Sequence, residues 1–164
     1  MRPILLLQNQ ANDGPAFLLD WLRSQSVEVD LRMTSHDEIP TNMSRYSALA
    51  VLGGAMSVND PLPFIGKTVN LIRDAMSSGK PVIGHCLGGQ LMAKALGATV
   101  SGSPHAEVGW HGIDIVDSYA AAEWFGDLRK TRRGGTATAV TLVLLEGDNE
   151  VRVTLGNAAA RILR

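Results

Sequence analysis

The chain has 164 residues, enough for one domain that buries roughly 70% of the surface its unfolded form exposes. Its 45% hydrophobic and 19% charged content excludes disorder, and a net charge of −1 excludes a global field that would draw it to nucleic acid or an anionic membrane. A single cysteine makes no internal disulfide, and the apolar run Ile4 to Leu7 is too short for a signal-peptide core or a membrane span, so a cytoplasmic protein is expected.

Ile4–Gln8 opens with an unbroken apolar run, Ile4 to Leu7, of the kind found in a parallel strand covered on both faces. Asn12-Asp13-Gly14-Pro15 then punctuates the chain, and Pro15 suits the first turn of a helix whose apolar residues include Leu18, Trp21 and Leu22. Val27, Val29 and Leu31 alternate with Glu28 and Asp30, which predicts a second strand nearer the sheet edge. Ala48–Leu52 is a third strand ending on Gly53-Gly54. Ile65, Val69, Ile72 and Met76 form one stripe of a helix that Gly79 is placed to end, with Pro81 beyond. Val82-Ile83 is a fourth strand running into Gly84-His85-Cys86, and Gln90 to Leu96 reads as a helix closed by Gly97. Strands and helices alternating at this spacing predict a flavodoxin-like α/β fold with a doubly wound, mostly parallel sheet. Past Val100 the rhythm changes. Glu107–Trp110 and Ile113–Val116 read as short strands and Tyr119–Leu128 as weakly helical. Val140, Leu142 and Leu144, then Val151, Val153 and Leu155, suggest a hairpin turning at Glu146–Asn149.

Ligands of open α/β sheets bind outside the carboxyl ends of the strands, and both glycine clusters fall there. A nucleophile between strand and helix sits in a sharp turn, with small residues two before and two after it so that strand and helix can approach. Gly84 and Gly88 hold those positions around Cys86. The helix that begins there aims free N–H groups at the sulfur, which favours thiolate. The Leu87 amide is then one oxyanion donor, and an amide near Gly54 the natural second.

Three strings carry a family resemblance: Leu52-Gly53-Gly54-Ala55-Met56-Ser57-Val58, Gly84-His85-Cys86-Leu87-Gly88-Gly89-Gln90-Leu91-Met92-Ala93, and Glu107-Val108-Gly109-Trp110-His111. With them the chain resembles a class I glutamine amidotransferase, close to the glutaminase domain of GMP synthase and its stand-alone relatives, over about residues 1–117. The resemblance implies that Cys86 attacks the side-chain amide of glutamine, or of a related γ-glutamyl compound, and forms a thioester. Ammonia then leaves for an acceptor on a separate synthetase, and water hydrolyses the thioester. Gly54 and Leu87 match oxyanion-hole positions, and Gln90 matches a position that helps hold the glutamine. Neither a metal nor a cofactor is expected.

The same family places its base in a His-Pro-Glu motif near the carboxyl terminus. Here His111 is the one histidine after Trp110, and no His-x-Glu follows residue 107. The resemblance ends at about Leu128, where the basic run Arg129 to Arg133 begins, read here as a solvated loop. Residues 129–164 are divergent within a single domain spanning 1–164. A frameshift, a deletion, a truncated gene or a degenerate paralogue would each give this pattern. His36-Asp37-Glu38 and His105-Ala106-Glu107 have His-x-Glu spacing but read as chance pairs, and His85 as a packing residue beside the elbow. Three readings stay open: an amidotransferase impaired by its missing base, a non-catalytic pseudo-amidotransferase, and a dienelactone-hydrolase-like α/β-hydrolase. Gln90 and the Gly53-Gly54-Ala55-Met56 loop weigh against the third. An uncovered sheet edge beyond the fourth strand would favour self-association.

Overall fold

The computed structural model describes residues 2–36 and 38–101, together with the backbone of 142–145, 152–155 and 158–161. In chain order the elements are β1 (Ile4–Gln8), α1 (Ala16–Ser24), β2 (Val29–Met33), β3 (Ala48–Val51), α2 (Pro63–Ser77), β4 (Val82–His85), α3 (Leu87–Ala95), β5 (Leu142–Leu145), β6 (Arg152–Leu155) and β7 (Ala158–Arg161). The main sheet runs β2-β1-β3-β4-β5. Its first four strands are parallel, in the order of a flavodoxin-like fold. β5 lies antiparallel to β4.

Alternation along β1 decides both layers. Leu5 and Leu7 point into a large cluster with Leu49, Val51 and Val82, capped by Ile65, Val69 and Ile72 of α2 and by Leu87, Leu91 and Met92 of α3. Leu6 points the other way, into a small cluster with Ala50, Leu52 and Leu22 of α1. Both faces of β1 are thus dry, which is why its sequence lacks polar alternation. The α2 stripe is confirmed, with Met76 packed at the margin of its cluster.

The apolar residues of α1 are not equally buried, and Trp21 stands out. It is 49% exposed and Phe17 78%, while Leu22 is buried and Leu18 half-buried. The cluster beneath α1 is too small to take more than one stripe of that short helix. β2 is the edge strand, as its alternation predicts, and Leu31 faces outward.

The carboxyl-terminal expectation needs two corrections. Leu142–Leu145 does not turn back on the 151–155 strand but pairs along the whole of β4, from Val82↔Leu145 to His85↔Leu142. The β4 edge is therefore occupied, and β5 becomes the terminal strand on that side of the described sheet. The hairpin exists one step later, between β6 and β7, with Leu155 opposite Ala158. Alternating apolar residues identify a strand but not its partner. The expected strands at 107–110 and 113–116, the helix at 119–128, His105, His111 and the Arg129–Arg133 run lie outside the described residues. Among the described residues no helix is long and apolar enough to cross a membrane.

Candidate active site

Sheet register gathers the site. Leu7 pairs with Val51, and Val51 with Gly84, so these three share one row near the carboxyl edge. Two residues further along each strand stand Asn9, Gly53 and Cys86.

Cys86 caps α3 and has φ 53° and ψ −109°. An L-residue reaches that conformation only at a cost of order 1–3 kcal/mol, and a strained strand-to-helix turn of this kind is the geometry of a nucleophile elbow. The flanking glycines explain how the chain closes around it. A Cβ on Gly84 would lie 2.6 Å from the Gly88 backbone and 2.5 Å from Met92 Sδ. One on Gly88 would collide with the Val51 carbonyl. Glycine at both positions lets strand and helix approach this closely, as the Gly-x-Cys-x-Gly spacing predicts. Cys86 itself is partly accessible.

The Gly53–Val58 loop wraps beside the thiol. A Cβ on Gly53 would meet Cys86 Cβ at 3.4 Å, and one on Gly54 would meet Leu87 Cδ2 at 3.2 Å. The structure thus brings Gly54, Cys86 and Leu87 together. The first intrahelical bond of α3 runs from the Gln90 N–H to the Cys86 carbonyl at 3.2 Å. The amides of Leu87, Gly88 and Gly89 consequently precede any intrahelical acceptor.

Gln90 lies one turn into α3, and its side-chain oxygen accepts the Val58 N–H at 3.2 Å. Lys94, one turn on, donates to the Val58 carbonyl at 2.9 Å. Both backbone groups of buried Val58 are therefore gripped by the helix that follows Cys86.

Sequence reasoning missed three residues here. Asn9 is 2% exposed and donates from Nδ2 to the carbonyls of Leu52 (2.7 Å) and Gly53 (3.2 Å). Gln10 accepts the Ala55 N–H at 3.0 Å. Asp13, read only as part of a turn, lies with Oδ2 2.8 Å from where a Gly53 Cβ would stand, and His85 Nδ1 is 3.3 Å from the same point. A polar triplet, Gln8-Asn9-Gln10, ending a buried strand was the available signal. His36 is exposed in the turn after β2. Among the described residues no cluster of three His, Cys, Asp or Glu side chains could hold a metal ion.

Comparison with known proteins agrees with this geometry. The class-I glutamine amidotransferase family matches residues 17–153, running past Leu128 into the segment expected to diverge. A glutamine amidotransferase-like protein of Salmonella typhimurium, YfeJ, is 30% identical over 61% of this chain and 44% of its own length. A glutamine-hydrolysing GMP synthase subunit from Thermoplasma acidophilum is 25% identical over 65% of this chain and 52% of its own. The crystal structure of a glutamine amidotransferase from Methylobacillus flagellatus superposes with a TM-score of 0.79 at 35% identity, over 93% of this chain and 61% of that one. The chain spans about half the length of these curated relatives. With its strained cysteine turn and its match over most of its length, the chain belongs to the class I glutamine amidotransferase family.

Proposed function

We propose that Cys86 is a nucleophile directed at the side-chain carboxamide of glutamine or of a γ-glutamyl compound, and that this 164-residue chain acylates slowly without steady turnover. The observation that carries the reading is the backbone of Cys86, strained at φ 53° between β4 and α3 and closed in by Gly84 and Gly88. Strain of this kind persists where surrounding packing over-determines it, and it holds a side chain out from the sheet edge.

In the proposed reaction the thiolate sulfur bonds to the amide carbon, and the carbonyl electron pair moves onto oxygen. The amides of Leu87 and Gly54, residues that meet beside Cys86, hold that oxyanion. Gln90, with its oxygen taken by Val58, offers its NH2 group to the substrate. Collapse breaks the carbon–nitrogen bond only if the departing nitrogen gains a proton, and hydrolysis of the thioester needs a base for water. No His-x-Glu follows residue 107 to do either job. A thiol tolerates such a loss better than a hydroxyl, because a few per cent is already thiolate near pH 7. The acceptor for any ammonia sits on a separate synthetase, a reading supported by the relative that is one subunit of a GMP synthase. The lone thiol suits the reducing cytoplasm.

The test is treatment with a chloroketone analogue of glutamine, followed by mass spectrometry of the Cys86 peptide, alongside an ammonia assay with glutamine. Slow, single labelling at Cys86 without continuing ammonia release is expected. Steady turnover that vanishes in His85→Ala or Asp13→Asn would overturn the impairment and name a substitute base. Labelling spread over other residues would overturn the assignment of Cys86.

A further inference from the structure

We propose that Asn9 is a positioning residue that locks the direction of the Gly54 amide beside Cys86. The inference rests on the reading of Cys86 and Gly54 given above, and it adds a residue that touches neither substrate nor sulfur.

The argument begins with peptide geometry. A trans peptide is planar, so its C=O and N–H point in opposite directions. The carbonyl of Gly53 and the N–H of Gly54 belong to one such plane, and none of the peptide bonds is cis among the described residues. Whatever fixes the Gly53 oxygen therefore fixes the Gly54 N–H. Asn9 Nδ2 donates to that oxygen at 3.2 Å and to the Leu52 oxygen at 2.7 Å. Two acceptors at one end of the side chain call for its NH2 group, and the Thr34 hydroxyl settles the other end by donating to Oδ1 at 3.2 Å. Asn9 is thus held in one orientation, inside a site where both it and Thr34 are buried.

Glycine at both 53 and 54 makes the lock useful. Side chains are excluded there by Asp13, Cys86, Leu87 and Met56, so the peptide joins two residues with broad conformational freedom and no side chains of their own to restrain it. A rotated peptide would present a carbonyl oxygen where a donor is required. The Gln10 bond to the Ala55 N–H and the double grip on Val58 hold the rest of the loop.

Two reagents separate this role from packing. The chloroketone analogue of glutamine reacts through a carbonyl seated where the oxyanion forms. Iodoacetamide forms its S–C bond by direct displacement of iodide and needs no oxyanion donor. In Asn9→Leu the chloroketone rate should fall at least about tenfold, on the scale of losing one oxyanion donor, while the iodoacetamide rate stays within about twofold. In the near-isosteric Asn9→Asp, a carboxylate faces two carbonyl oxygens near pH 7, and the rate ratio should fall likewise. It should recover as the pH is lowered and the carboxyl regains an O–H donor. Taking the ratio cancels the thiolate fraction common to both reagents. Should Asn9→Leu fail to fold, Asn9→Asp decides alone. An unchanged ratio in the folded variants, or equal losses with both reagents and no pH dependence of the ratio, would overturn the proposal. A wild-type Cys86 silent to both reagents would instead remove the nucleophile on which it rests.

Discussion

Glycines at the two ends of the sheet serve opposite purposes. At the carboxyl end, Gly53, Gly54, Gly84 and Gly88 have no room for a side chain, and a Cβ on any of them would come within 2.8 Å of a neighbouring atom. At the amino end, where the helices finish, Gly79 and Gly97 face open space but have φ of +64° and +86°. There the backbone turns left-handed so that the next two N–H groups can close the helix. After α2, Gly79 and Lys80 donate to the carbonyls of Met76 and Ala75. After α3, Gly97 and Ala98 donate to those of Lys94 and Ala93. One end uses glycine for closeness and the other for conformation. Only the first brings catalytic-type groups together.

Gly88→Ala tests the crowded end most severely. The new methyl meets a backbone carbonyl that cannot move aside without shifting β3, so destabilisation should reach or pass the top of the ~1–3 kcal/mol range for overpacking. Denaturant unfolding checks this, and a loss below about 1 kcal/mol would mean the elbow is looser than described. Cys86→Gly inverts the expectation. Glycine accepts φ 53° freely, so stability should rise by about 1–3 kcal/mol while reactivity disappears. Cys86→Ala, which keeps the strain, should give no such gain.

Ser26 is the matched control at the open end. It ends α1 with the same paired bonds, Ser26 to Arg23 and Val27 to Leu22, but at φ 56° without being glycine. Ser26→Gly should therefore stabilise by about 1 kcal/mol and leave Cys86 labelling unchanged, as thermal unfolding and a labelling time course would show.

The smallest effect is electrostatic, also at the open end. Burial alone would raise the Asp30 carboxyl, but the hydrogen bonds from Arg32 and from Tyr46, at 2.7 Å, outweigh it and hold it below its ordinary value. A lowered folded value means that the contribution is complete above the ordinary carboxylate value of about 3.9 and is lost as pH falls through the folded one. Tyr46→Phe should cost about 0.5–1.5 kcal/mol near pH 7 and flatten the acid limb of a stability–pH curve. An unaltered acid limb would show that the Asp30 contribution does not depend on Tyr46.

What was legible in the sequence was local. Gly84, Cys86 and Gly88 lie within five residues, and their spacing states the elbow directly. The dry faces of β1 and the α2 stripe follow from short-range periodicity. Asn9 was not legible, because its bond to Gly53 spans 44 residues and depends on the register between β1 and β3. β5 illustrates the same limit. The alternation of Leu142 and Leu144 marks a strand, yet only the fold selects β4 as its partner. Trp21 shows a further limit, since an apolar residue in a helix is buried only as far as the core beneath it extends, and the cluster under α1 is small.

The most direct test of the account is substrate protection of Cys86. The 164-residue chain is labelled with the chloroketone analogue in the presence of L-glutamine or of asparagine, and the rate is read from the Cys86 peptide. Glutamine should slow labelling progressively with concentration, and asparagine, one methylene shorter, should protect far less. Labelling that begins only on unfolding, or that proceeds at one rate with or without glutamine, would contradict a glutamine-directed nucleophile at this turn.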